Sequence, residues 1–138
     1  MAGLKKILFV CIGNACRSQM AEGFARRSGN GRIEVKSAGT NAMGYVDGDT
    51  IEAMKEACPP VDISRQTSKQ LTQEMIEWAD VVVTLGCQSA ERICPPDYRG
   101  KKIDWPIKDP MGSRREFMEF VRDDIGKRVR ELIDSALK

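Results

Sequence analysis

An α/β fold built on a central parallel sheet is what the sequence predicts, and three observations predict it. Short apolar runs with the character of buried strands alternate with segments of helical periodicity. Two of those runs, Ile7 to Val10 and Val81 to Val83, are continuous rather than alternating, as befits strands covered on both faces. The chain has 138 residues and is 41% hydrophobic, enough for one core and too little for two. The expectation is one domain over residues 1–138, a three-layer sandwich around a four-stranded parallel sheet.

Each element has its own signal. Ile7-Leu8-Phe9-Val10, between Lys5-Lys6 and a loop with Gly and Asn, reads as the first strand. Met20/Phe24 and Ala21/Ala25 recur at i,i+4, so Ser18 to Arg27 reads as a helix that ends before Ser28-Gly29-Asn30-Gly31. Ile33 and Val35 alternate in a second strand ending at Ser37-Ala38-Gly39, and Ile51, Met54 and Ala57 mark a second helix stopped by Pro59-Pro60. Thr72 is a candidate N-cap for a helix to Trp78, Asp80 to Leu85 is the clearest strand, and Lys102-Ile103-Asp104 is a shorter fourth strand. The last helix is expected to open on a Ser113/Glu116 capping box and to bury a stripe of Phe117, Val121, Ile125, Val129, Leu132 and Ala136.

Composition excludes several chemistries. With 22 Lys+Arg against 20 Asp+Glu the net charge is +2, interspersed along the chain, which argues against nucleic acid and membrane surfaces as partners. No apolar run reaches the length of a spanning helix, and the apolar segment within Met1 to Val10 is too short for a signal peptide, so a cytoplasmic protein is expected. There is no histidine, which removes Ser-His-Asp triads, Cys-His pairs and His-ligated metals. Five cysteines remain, and without an export signal they point to thiol chemistry or metal ligation rather than a disulfide framework.

The chemistry concentrates in Cys11-Ile12-Gly13-Asn14-Ala15-Cys16-Arg17-Ser18, between the first strand and the first helix. Backbone N–H groups of Ile12, Gly13, Asn14, Ala15, Cys16, Arg17 and Ser18 can converge there on one tetrahedral oxyanion, with the helix dipole and the Arg17 guanidinium adding to the attraction. The same potential favours a thiolate at Cys11, and the Ser18 hydroxyl can donate to it. Nucleophile and anion site coincide. The loop lacks the Gly-Lys-Ser/Thr ending of a nucleotide-binding P-loop. Cys16 is expected to be a packing thiol whose side chain points away from the anion.

Cys11 to Gly23, reading C-I-G-N-A-C-R-S-Q-M-A-E-G, resembles the signature of the low-molecular-weight tyrosine phosphatase superfamily. More narrowly it is similar to the thioredoxin-coupled arsenate reductases: Pro usually follows Arg-Ser in the phosphatase branch, whereas Gln19 to Gly23 has the reductase form. The similarity extends through Ser37-Ala38-Gly39, Ile51 to Lys55, Asp62-Ile63-Ser64, Thr67-Ser68, Val82 to Leu85 and Asp109-Pro110. The resemblance implies a flavodoxin-like topology and arsenate reduction without a cofactor. It further implies arsenate as substrate, phosphate or sulfate as competing anions, and thioredoxin or a similar thiol reductant as partner; a monomer is expected.

Cys87 and Cys94 follow the strongest strand. In a parallel sheet all strand C-termini open on one edge, so this segment should emerge on the same rim as the Cys11 loop. A hydrolase needs one cysteine; a reductase must pass two electrons on, which takes a second thiol and a third. The resemblance implies the order: Cys11 attacks arsenate, Cys87 attacks the adduct, and Cys94 closes a Cys87–Cys94 disulfide. A low-molecular-weight tyrosine phosphatase needs no such pair and is the alternative; zinc held by Cys11, Cys16, Cys87 and Cys94 is another. Gly86 departs from the commoner form, in which Cys follows Leu directly. Cys58 has no counterpart in the family pattern.

Asp109, before Pro110, resembles the family's general acid, and Trp105 and Pro106 are expected to give it an apolar neighbourhood. Potassium-binding members of the reductase branch use residues matching Asn14, Glu22 and Ser37 plus an Asp after Thr-Ser, where this chain has Lys69. An ammonium there either pairs with Glu22 in place of a cation or faces solvent; no bound metal is expected.

Overall fold

The computed structural model describes residues 5–137. Its elements run β1 (Lys5–Cys11), α1 (Arg17–Gly29), β2 (Ile33–Gly39), α2 (Gly48–Lys55), α3 (Gln73–Trp78), β3 (Val81–Leu85), α4 (Ala90–Ile93), β4 (Lys101–Trp105) and α5 (Arg115–Ala136). The four strands form one parallel sheet in the order β2-β1-β3-β4. The α/β sandwich and the four-stranded sheet are therefore as the sequence predicts.

Strand periodicity divides the core. Ile7, Phe9 and Cys11 of β1 and Val81, Val83 and Leu85 of β3 face α1 and α5, packing with Met20, Phe24, Ile125 and Val129. Leu8, Val10 and Val82 face the other way, against Ile76, Ala79, Ala90 and Cys94. Continuous apolar runs are required because both faces of these strands are dry. β1 lies between β2 and β3, so the connections leaving β1 and β3 diverge and open a crevice at their C-terminal ends. The Cys11 loop fills it.

Several local expectations change. α5 has Arg114 as N-cap with no side-chain cap bond, so the Ser113/Glu116 capping box does not form. The Ser113 hydroxyl donates instead to the Pro110 carbonyl, closing the turn before the helix. The buried ridge of α5 is Met118, Val121, Arg122, Ile125, Val129 and Ile133. Phe117, Leu132 and Ala136 are only partly buried. α2 begins earlier than Ile51, capped by Asp47 accepting from Thr50 N at 3.1 Å, and ends before Ala57. Thr72 does cap α3, accepting from Met75 N at 3.2 Å. α4 has no signal in the sequence, because four residues carry too little periodicity to read. Among the described residues no helix is long and apolar enough to cross a membrane.

Candidate active site

The loop after β1 is built inside out. The carbonyls of Cys11, Ile12, Gly13 and Ala15 accept from the backbone N–H groups of Thr40, Asn41, Met43 and Asp47 at 2.8–3.0 Å. The Asn14 carbonyl accepts from Gln19 Nε2 at 2.9 Å, and the Cys16 carbonyl from Met20 N at 2.9 Å. With every carbonyl from Cys11 to Cys16 turned outward, the amides are left on the inner side. Among the described residues none of the N–H groups from Ile12 to Ser18 donates to a protein acceptor. Such a ring of unspent donors at a helix start is an anion nest.

Two residues make that curvature possible. Asn14 takes the left-handed region at φ 49°, which its polar side chain tolerates. Gly39 lets β2 pass under the loop, since a Cβ there would lie 2.5 Å from the Ile12 carbonyl and 2.9 Å from Asn14 N. Gln19, buried, ties the underside to the following segment: Nε2 also donates to the Thr67 carbonyl at 2.9 Å, and Oε1 accepts from Gln66 Nε2 at 2.8 Å.

Arg17 closes one side. Its Nη1 donates to the carbonyls of Leu85, Gly86 and Ile107 at 2.8, 3.2 and 3.0 Å. That fixes the guanidinium plane, while Nε is buried with no protein partner among the described residues. A buried donor without an acceptor is costly, and an oxyanion in the adjoining cavity of about 180 Å³, lined by Cys11, Gly13, Arg17 and Asp109 among others, would supply one. Gly86 has its physical reason here: φ is +70°, and any Cβ would run into the Ile107 carbonyl and Arg17 Nη1.

A chain of hydrogen bonds reaches Cys11 from beneath. Cys11 Sγ is 2.9 Å from Ser18 Oγ; Asn14 Nδ2 donates to Ser18 Oγ at 2.7 Å and to Ser37 Oγ at 3.0 Å; and Ser37 Oγ donates to Glu22 Oε1 at 2.5 Å. Lys69 N donates to Asn14 Oδ1 at 2.7 Å, which sets the amide's orientation. Glu22 is buried and is met by Arg26 at 3.0 Å and by Lys69 Nζ at 3.8 Å. The Lys69 ammonium thus stands beside Glu22 and donates to the Thr67 carbonyl; burial pushes its pKa down, against the pull of Glu22.

Cys87 reaches the rim, its Sγ 3.5 Å from the Val10 carbonyl. Burial pushes its thiol up, and the neighbouring Cys11 adds to this, while a Leu85 backbone bond and Arg17 oppose it. Cys94 caps the C-terminus of α4 in the same apolar cluster, its thiol raised by burial and lowered by Lys102. Asp104 anchors α4, accepting from Ala90 N at 2.8 Å and from Thr84 Oγ1 at 2.5 Å. Nothing local marks Asp104, since its partners lie on other elements, whereas Asp47-Gly48-Asp49-Thr50 carries a readable N-cap signal.

Cys16 is buried, and burial pushes its thiol up to about 12. Cys58 is exposed, and all five cysteines are free. Among the described residues no Cys, Asp and Glu side chains group closely enough to hold a metal ion. Asp109 lines the anion cavity, but Trp105 and Pro106 do not bury it as expected. It is exposed, with Oδ1 accepting from Met111 N at 3.0 Å; Pro106 is exposed too, and Trp105 turns inward against Phe9.

Comparison with known proteins agrees with this geometry. Residues 6–138 match the model of the low molecular weight phosphotyrosine protein phosphatase family. Arsenate reductase 1 of Bacillus cereus (strain ATCC 10987 / NRS 248) is 39% identical over 137 residues, 98% of each chain. A solved arsenate reductase in the phosphate binding state superposes with a TM-score of 0.80 at 37% identity, covering 96% of this chain and 99% of that one. The thioredoxin-dependent arsenate reductase of Corynebacterium glutamicum gives a TM-score of 0.82 at 30% identity, covering 99% of this chain and 63% of that one. With the fold, the anion loop and this similarity together, the chain belongs to the low molecular weight phosphotyrosine protein phosphatase family.

Proposed function

We propose that the chain reduces arsenate to arsenite through Cys11, Cys87 and Cys94, and is returned to its dithiol form by thioredoxin or a similar reductant. The observation that carries the reading is the Cys87 sulfur, 3.5 Å from the carbonyl of the residue preceding Cys11. Ester hydrolysis by Cys11 has no use for a second thiol there; passing on two electrons requires one. The similarity to arsenate reductases over nearly the whole chain supports the same reading.

The steps follow from the site. Arsenate sits on the N–H groups from Ile12 to Ser18 with Arg17 Nε against it, as phosphate or sulfate would in competition. The Cys11 thiolate, held by the Ser18 hydroxyl, forms a sulfur–arsenic bond while one arsenate oxygen leaves as water, protonated by Asp109. The Cys87 thiolate attacks the Cys11 sulfur. A Cys11–Cys87 bond forms, the sulfur–arsenic bond breaks with its electron pair on arsenic, and arsenite departs. The Cys94 thiolate then attacks Cys87 and frees Cys11 as thiolate, and an external dithiol reduces the Cys87–Cys94 disulfide while being oxidised to its own disulfide. No cofactor enters these steps.

The unit is taken as one domain over 1–138, a monomer working in the cytoplasm, where reductants keep thiols available. The net charge of +2 supports the absence of a nucleic-acid or membrane partner. The same loop and Asp109 support a lesser hydrolysis of aryl phosphates through a cysteinyl phosphate. Arsenite release measured with thioredoxin, thioredoxin reductase and NADPH, beside a glutaredoxin system, tests the reading. Aryl-phosphate hydrolysis without arsenate-dependent dithiol oxidation in either system would assign the chain to the phosphatases instead.

A further inference from the structure

A second groove, of about 600 Å³, shares no lining residue with the anion cavity. Its charged lining is Arg26, Lys36, Arg65 and Lys69 against Glu22 and Asp62. Four cations against two carboxylates is a local excess as large as the +2 of the whole chain. The carboxylates do not quench it. The single charge of Glu22 is divided between Arg26 at 3.0 Å and Lys69 at 3.8 Å, and Glu22 Oε1 also takes the Ser37 hydroxyl. Asp62 Oδ1 is turned to the Ser64 N–H. Among the described residues neither Lys36 nor Arg65 has a salt-bridge partner; Lys36 Nζ lies 4.5 Å over the Trp78 ring instead.

We propose that this groove is a binding site for a short polyphosphate, a pyrophosphate or tripolyphosphate unit that is either free or carried by a nucleotide. Two guanidinium groups and two ammonium groups match several phosphate oxygens at once, Arg through its planar fork and Lys as a point charge. The volume exceeds what one phosphate fills and lies within the usual range of small-molecule sites. A nucleic-acid strand fits less well, because bases need open aromatic faces. Trp78 is covered by Lys36, and Phe24 of the adjoining helix is buried in the core. The site does not depend on arsenate being the substrate of the Cys11 loop.

Calorimetric titration of the full chain with sodium tripolyphosphate tests this, carried out in excess inorganic phosphate so that the Cys11 loop is already occupied. Sodium sulfate at matched ionic strength is the control for general charge attraction. The expected result is saturable one-to-one binding that survives the phosphate and is weakened about tenfold or more in Lys36→Ala/Arg65→Ala. Both substitutions are of exposed residues outside the Cys11 site, so the variant should melt and turn over arsenate as the wild type does. Parallel titrations with pyrophosphate and ADP tell a free anion from a nucleotide. Binding abolished by inorganic phosphate, binding equal in the double variant, or no saturable binding beyond the sulfate control would each overturn the proposal.

Discussion

Ser18 Oγ lies 2.9 Å from Cys11 Sγ while accepting from Asn14 Nδ2 at 2.7 Å, so the one proton of the hydroxyl is left for the sulfur. The direction of that bond is set two residues further back. Asn14 presents its amide nitrogen to both Ser18 and Ser37 only because its oxygen is engaged by Lys69 N. A hydrogen bond donated to sulfur stabilises the thiolate, which is the form that attacks.

Cys11→Ser is therefore expected to abolish both arsenate reduction and aryl-phosphate hydrolysis, because a serine hydroxyl with no histidine base in the chain stays protonated. Appreciable turnover by this variant in either assay would remove Cys11 as the nucleophile.

Cys87→Ser and Cys94→Ser should each stop multiple turnover of arsenate while leaving aryl-phosphate hydrolysis near the wild-type rate. Both thiols are raised by burial, so in the wild type the disulfide-forming steps should quicken as pH rises above neutral. Stopped-flow measurement at several pH values separates those steps from the first attack. Equal loss of both activities in either variant would point to a structural role.

Gly86→Ala should lose stability by about 2 kcal/mol or more and lose most activity, since φ is +70° and the new Cβ overlaps the Ile107 carbonyl and crowds Arg17. Thermal melts and oxyanion affinity measure the two effects. A variant with wild-type melting temperature and affinity would show that Gly86 does not set the Arg17 position.

The buried Cys16 thiol makes the fold sensitive to alkali. Its folded pKa is raised from 9.0 to about 12, so the stability it contributes is complete below the unfolded value and is lost as pH climbs from about 9 towards 12. By pH 10 about 1 kcal/mol of that contribution has been lost. Cys16→Ala should show a flatter fall in denaturation midpoint between pH 8 and pH 10.5. Parallel curves for variant and wild type would contradict this.

With the Lys69 ammonium beside Glu22, potassium should change neither melting temperature nor arsenate affinity beyond what sodium does at equal ionic strength. Lys69→Asp should create a potassium response, as a further oxygen joins Glu22 and Ser37. Melts in matched chlorides decide the matter, and a potassium-specific stabilisation of the wild type would show that Lys69 does not hold that place.

Much of this site is legible in the chain itself, because its parts are close in sequence. Cys11, Arg17 and Ser18 fall within one loop and one helix turn, and the apolar runs of β1 and β3 dictate a doubly covered sheet whatever else surrounds them. What the tertiary structure alone decided depends on partners distant along the chain. The donors that turn four of the loop's carbonyls outward are Thr40, Asn41, Met43 and Asp47, the acceptors that fix Arg17 come from Leu85, Gly86 and Ile107, and Trp105 turns inward while Asp109 is exposed. Local pattern reports a residue's own neighbours and period. The direction in which a loop's amides point is set by whichever strands and turns cross it, and those meet only once the sheet has formed.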